Sequence, residues 1–230
     1  MITAAVEFPS GAATLAAYLA RPDGPGPFPA LVVIHEAYGL NDDIRGIAER
    51  LAGAGYAALA VDLFHGRNRA VCLVRFFGGM ILNSLDHGGI RDARAALDYL
   101  AAQPYAEADR LGAVGFCLGG NFAICLACTD QRLKAIAPFY GNNPRPLEAV
   151  RRLCPVVGSY PDPDFSTADG RQLDVELDRY EVAHDIKVYP GATHSFFNGR
   201  PGAANAAAAQ DAWGRLLAFF GQHLPAKTAD

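Results

Sequence analysis

Short apolar runs recur along the chain, each followed by a longer stretch whose apolar residues return every three or four positions. ALVVI (Ala30 to Ile34) opens the series, and NDDIRGIAERLAGAG follows with Ile44, Ile47, Ala48 and Leu51 on one helical face. Asn41 stands where a side chain can accept the first free backbone N–H groups, and Gly53 or Gly55 where a helix stops. The alternation continues through strand YAALAV, a helix carrying Ile90, Ala93, Leu97 and Leu100, strand LGAVGF and a further helix, then strand KAIAPF and a loop. After strand PVVGSY comes a helix with Asp169 and Gln172 at capping-box spacing and Leu173, Leu177 and Tyr180 inward. Strand IKVYP and a helix with Trp213, Leu216, Leu217 and Phe220 inward complete the series.

Strands without polar alternation are covered on both faces, and repeated strand–helix crossovers bring successive strands parallel. The pattern therefore predicts an α/β fold: a mostly parallel central sheet, doubly wound, with helices on both faces. ITAAVEF and ATLAAYLARP, separated by PSG, read as a hairpin added at one sheet edge. Residues His65 to Leu85 break the rhythm with three arginines, a double glycine and several apolar residues, either as a cover over a pocket or as a packed excursion with solvated arginines. With no internal repeat or linker, a single domain over residues 1–230 is expected.

The composition, 51% hydrophobic and 19% charged, is that of an ordinary globular chain with an ample core. A formal net charge of -4 without a basic run offers no footprint for nucleic acid or an acidic membrane surface, so a small-molecule ligand is expected. Residues 1–20 place no Lys or Arg ahead of an apolar run, and the apolar stretches are strand-sized; neither a signal peptide nor a membrane span is read. Cys72, Cys117, Cys125, Cys128 and Cys154 form an odd set without disulfide-framework spacing, which predicts free thiols and a cytoplasmic setting. The expected assembly is a monomer or small homo-oligomer.

GFCLGG (Gly115 to Gly120) is the stretch with chemical content. Cys117 falls at the carboxyl end of strand LGAVGF, where chemistry gathers in open parallel sheets. Gly115, Gly119 and Gly120 surround it as G-x-C-x-G-G, the elbow pattern in which glycines allow tight strand-to-helix packing around an exposed nucleophile, here with Cys for Ser. A free thiol is only a few per cent ionised at neutral pH and needs a base with an orienting acid. The elbow fold orders these as nucleophile, carboxylate, histidine, each after a later strand. Asp162 and Asp164 follow VVGSY, and His194 follows the next strand in YPGATHSFFN; the residues alone do not choose between the two aspartates.

VVIHEAYGL, AVDLFHGR, VGFCLGG, FYG, the SY..D segment and GATHSFFN, spanning about residues 30 to 198, together resemble the dienelactone hydrolase family, α/β hydrolases with a Cys-Asp-His triad. The resemblance implies an α/β-hydrolase fold and a cytoplasmic carboxymethylenebutenolidase-like enzyme of aromatic degradation, without metal or cofactor, that opens a lactone or cleaves a small ester through a thioacyl intermediate. It implies Cys117 as nucleophile, His194 as base and Asp164 as acid, because the family's aspartate lies four residues after the position of Tyr160. It further implies that Glu36, in the family's HE motif, holds the resting thiol and moves when substrate arrives. The elbow assigns the oxyanion donors to the backbone N–H groups of Leu118 and Ala37. Tyr140 is expected to line the pocket, and Tyr38 to pack at its rim.

The chain also departs from the family pattern. HSFFNGR has Asn198 where the prototype has an arginine for a substrate carboxylate; Arg67, within a residue of the other clamp position, and Arg200, a candidate substitute for the missing cation, read either as clamp residues or as solvated surface arginines. The PDPD loop lacks the glycines usual before the acid. Cys125 and Cys128 form C-x-x-C, the mark of a thiol redox protein, but inside a helix, without the terminus that lowers a thiol pKa and without partners for zinc.

Overall fold

The structure, a computed structural model, describes residues 1–226; residues 227–230, the end of the expected domain span, lie outside the described residues. The chain begins with β1 (Ile2–Ser10) and β2 (Ala13–Arg21), then β3 (Phe28–Ile34), α1 (Asp42–Gly53), β4 (Ala57–Val61), α2 (Arg69–Leu82) and α3 (Gly88–Ala101). It continues with β5 (Ala106–Phe116), α4 (Leu118–Thr129), β6 (Leu133–Phe139), β7 (Val156–Asp162), α5 (Thr167–Arg179), β8 (His184–Pro190) and α6 (Ala203–His223). Eight strands form one sheet in the order β1-β2-β4-β3-β5-β6-β7-β8. Pairings from β3 onward are parallel, while β1 and β2 join antiparallel as the expected edge hairpin. This is the α/β-hydrolase fold.

The apolar runs account for the layers. β3 and β4 are buried on both faces, with Val32, Ile34 and Leu59 fully covered, each burial stabilising by roughly 1.5–3 kcal/mol. One core packs α3, α4 and α5 against the sheet through Leu97, Phe122 and Leu173; the other packs α1 and α6 through Leu51, Leu216 and Phe220. Asn41 caps α1 as predicted, its Oδ1 accepting from the Ile44 N–H at 3.1 Å.

Several expectations are corrected. The proposed capping box of α5 does not form: Ser166 is the N-cap, and the Asp169 carboxylate instead accepts from the Asn142 side chain (2.8 Å) and the Asn143 N–H (2.9 Å). Partners from another loop win it over the local backbone. The strand before Cys117 begins five residues early, because the Phe28 N–H bonds to the Tyr105 carbonyl and draws residues 106–110, with Glu107, Asp109 and Arg110 among them, into the sheet before a register shift. In α6 Phe219 is buried, whereas Trp213 and Leu217 are only partly so. The arginine-bearing excursion folds as α2, with Asn68 accepting from the Ala70 and Val71 N–H groups.

Candidate active site

The loops after β3, β5, β6, β7 and β8 leave the same end of the parallel sheet and bring Glu36, Cys117, Tyr140, Asp164 and His194 into one neighbourhood. Cys117 sits between β5 and α4 with φ 54° and ψ −113°, a conformation that costs a non-glycine residue energy and is held by its surroundings. Glycine is what makes the elbow possible: a Cβ on Gly119 would lie 2.3 Å from the Ile34 carbonyl oxygen, and one on Gly115 2.0 Å from that of Gly119. The Cys117 N–H is satisfied by the Phe139 carbonyl at 3.0 Å.

The sulfur meets opposing influences. Burial is the largest, followed by the negative charge of Glu36, and together with Asp164 they push the Cys117 thiol up to about 11; the Leu118 and Ala37 N–H groups beside the sulfur pull the other way. Those are the two donors expected for an oxyanion.

Glu36 is buried and its Oε1 accepts from the Ser195 hydroxyl at 2.7 Å. Its backbone is held by His35: the Leu63 N–H donates to His35 Nε2 at 3.1 Å, so Nδ1 carries the proton and donates to the Glu36 carbonyl at 2.6 Å. Full burial lowers the His35 pKa and keeps this ring neutral. The Tyr140 hydroxyl faces Glu36 without closing a hydrogen bond of standard geometry; burial first, then that carboxylate, raises it well above the ordinary tyrosine value.

His194 Nδ1 lies 3.0 Å from Asp164 Oδ2 and 3.2 Å from Oδ1, while Asp164 Oδ1 also accepts from the Ser166 N–H and hydroxyl. The pairing leaves the proton of neutral His194 on Nδ1 and makes Nε2 the basic nitrogen. Nε2 is buried without a hydrogen-bond partner among the described residues, so the thiol and imidazole share no hydrogen bond in this state. Tyr140 and Phe165 pack on the imidazole with ring centroids 4.8 and 4.6 Å away. Asp162, by contrast, faces outward and takes Arg171 at 2.8 Å.

Residues 15–224 match the dienelactone hydrolase family. The chain belongs to that family. It is similar to a Saccharolobus solfataricus protein provisionally named a carboxymethylenebutenolidase, with 33% identity over 93% of this chain and 96% of the relative. A Bradyrhizobium protein provisionally named a 2-oxo-3-(5-oxofuran-2-ylidene)propanoate lactonase is 30% identical over 92% of this chain and 90% of its own. Among solved structures, a dienelactone hydrolase-like promiscuous phosphotriesterase from metagenomic libraries superposes with a TM-score of 0.83 at 30% identity, covering 96% of this chain and 98% of that one. The protein is thus a dienelactone hydrolase-like hydrolase of a family acting on small lactones and esters.

Within this dienelactone hydrolase scaffold, the remaining candidates fall in different places. Arg67 lines a cavity beside α2 that none of the grouped residues lines. Arg200 is exposed, yet its charge reaches the Tyr140 hydroxyl. Asn198 lies with Arg50 and Ile47 along α1. Tyr38 is half-exposed with the Arg69 guanidinium 5.4 Å from its ring centroid. All five cysteines are free; Cys125 and Cys128 are buried in α4, and burial pushes the Cys125 thiol up to about 12 and raises Cys128 further. Among the described residues no helix is long and apolar enough to cross a membrane.

Ser195, His35 and Phe165 escaped the sequence reading. Ser195 directly follows His194 and has φ 63°, but nothing local marks a serine whose partner, Glu36, lies 159 residues away. His35 in the HE motif was the one available signal.

Proposed function

We propose that the protein hydrolyses a lactone or small carboxylic ester through a thioacyl intermediate on Cys117, with His194 as base and Asp164 as the acid that orients it. The observation that carries this reading is the Asp164–His194 contact at 3.0 Å in the same loop cluster as a thiol on a positive-φ elbow, whose sulfur feels the Asp164 charge and the nearby Leu118 and Ala37 N–H groups.

Substrate entry displaces Glu36 from the thiol's surroundings, and His194 Nε2 takes the Cys117 proton. The sulfur attacks the carbonyl carbon, and the tetrahedral oxygen takes the Leu118 and Ala37 N–H groups. The C–O bond then breaks and His194 returns the proton to the leaving alkoxide, which in a lactone remains tethered to the acyl group. Water, deprotonated by His194, attacks the thioester; the thiolate leaves and is reprotonated. Tyr140 lines the acyl pocket beside the imidazole. Arg200, whose field reaches Tyr140, is the cation available to a substrate carboxylate, such as the propanoate in the name of the Bradyrhizobium relative. Five free thiols fit a reducing, cytoplasmic compartment.

The test is Cys117→Ala with an aryl acetate and a lactone panel. The variant should fold and lose turnover, and iodoacetamide should inactivate the wild-type protein in step with alkylation of Cys117. Undiminished hydrolysis in Cys117→Ala refutes the nucleophile assignment.

A further inference from the structure

We infer that Phe165 selects the alcohol half of the substrate and fits the site to esters of aromatic alcohols, an inference that rests on His194 serving as the base of a hydrolase. Phe165 directly follows the acid Asp164, and its ring centroid lies 4.6 Å from that of the His194 imidazole at an interplanar angle of 31°. It is nonetheless 64% exposed. The ring gives part of its surface to the imidazole and leaves the larger part open to solvent, beside the group that handles the proton.

This outward position is imposed by its neighbours. Asp164 Oδ1 accepts from the Ser166 N–H at 2.9 Å and from the Ser166 hydroxyl at 2.6 Å. The Asp164 N–H donates to the Thr167 hydroxyl oxygen at 3.0 Å, and that hydroxyl donates to the Pro161 carbonyl at 2.7 Å. Ser166 and Thr167 are buried, so the chain is pinned on both sides of Phe165, and a residue held in this way loses little freedom when a ligand covers it. Bracing the base does not account for the ring. His194 already has the Asp164 carboxylate on Nδ1 and the buried Tyr140 ring 4.8 Å away.

The reaction decides what comes to lie on the open face. To leave, the ester oxygen takes a proton from His194 Nε2, which brings that oxygen to within about 3 Å of the imidazole. The acyl half is held elsewhere, its carbon on the Cys117 sulfur and its oxygen toward the Leu118 and Ala37 N–H groups. The body of the alcohol therefore departs alongside the imidazole. Of the two aromatic rings packed on that imidazole among the described residues, only Phe165 is exposed to meet it. A phenol or naphthol offers a flat apolar face to such a ring, and aromatic pairs are favoured beyond the area they bury. A methyl alcohol reaches too little of it.

Steady-state hydrolysis of 2-naphthyl acetate, methyl acetate and methyl benzoate by wild type, Phe165→Ala and Phe165→Tyr tests the inference, each variant being compared with wild type on the same substrate so that intrinsic reactivity cancels. The two acetates leave the same acetyl group on Cys117, so their difference is confined to acylation and is read in kcat/KM. Phe165→Ala should lose about tenfold in kcat/KM on 2-naphthyl acetate and stay within about twofold on methyl acetate and on methyl benzoate, which carries its ring on the acyl half. Phe165→Tyr, which keeps the ring, should retain the wild-type preference; circular dichroism melts verify that both variants are folded. An equal loss on all three esters would show that the ring only steadies the imidazole and would overturn the inference. So would an undiminished rate on 2-naphthyl acetate in Phe165→Ala, or a loss in Phe165→Tyr as large as in Phe165→Ala. Failure of the hydrolase reading shows separately, as undiminished ester turnover in Cys117→Ala.

Discussion

Replacing Glu36 by Gln should make the resting thiol more reactive. The Cys117 thiol is pushed up to about 11, first by burial and then by the Glu36 charge, so about one molecule in a thousand carries a thiolate near pH 8. Gln keeps the shape and an amide oxygen for the Ser195 hydroxyl, which donates to Glu36 at 2.7 Å, but removes the charge. Loss of a neighbouring negative charge lowers a thiol pKa, here by on the order of one unit, and each unit gives about tenfold more thiolate. The less basic sulfur is a weaker nucleophile by about threefold, because thiol–disulfide exchange follows a Brønsted slope of about 0.4–0.5. The net expectation is a three- to fourfold faster reaction per unit (roughly). Stopped-flow reaction with an aromatic disulfide across the alkaline range measures it, with Cys117→Ala supplying the background from the other four cysteines. The midpoint of the rate profile should move to lower pH in Glu36→Gln. A variant that reacts no faster than wild type near pH 8, with an unmoved midpoint, would show that the carboxylate does not restrain the sulfur.

Three further outcomes are expected. Asp164→Asn should lower kcat/KM by roughly 10³- to 10⁴-fold through a misoriented imidazole, while Asp162→Asn, which loses only an exposed pairing with Arg171, should stay close to wild type; steady-state ester kinetics compare them. Gly119→Ala should cost about 3 kcal/mol, because its Cβ meets a backbone oxygen at 2.3 Å that cannot rotate away; urea unfolding midpoints give the value. His87 bears on acid stability: burial pushes its folded pKa down to about 4 against 6.5 for a free imidazole, so its contribution is complete above 6.5 and is lost as pH falls toward 4. After allowance for screening, that window carries about 1–2 kcal/mol; His87→Asn, which keeps the helix cap, should flatten the dependence in urea titrations, and an unchanged slope would disprove the role.

How much of this was legible beforehand differs by element. Helix α1 could be read from Asn41 to Gly53 because cap, periodicity and stop are all local. The capping box assigned to α5 failed for the opposite reason: Asp169 had a better offer from Asn142 and Asn143, which only the tertiary fold delivers. The early start of β5 depended on a contact between Phe28 and Tyr105, 77 residues apart. Likewise, three arginines in an irregular stretch carried no sign that Arg67 and Arg75 would share a cavity with two buried histidines.

By itself the sequence determined the α/β layering, the elbow around Cys117 and the chain order of the acid and histidine, since period, glycine spacing and order are properties of a string. Only the tertiary structure decided that Asp164 and not Asp162 meets His194, that Ser195 binds Glu36, and that the resting thiol and imidazole share no hydrogen bond. Those are relations of direction and distance between loops that leave different strands, and no local pattern encodes where a side chain points once the sheet has twisted and closed around it.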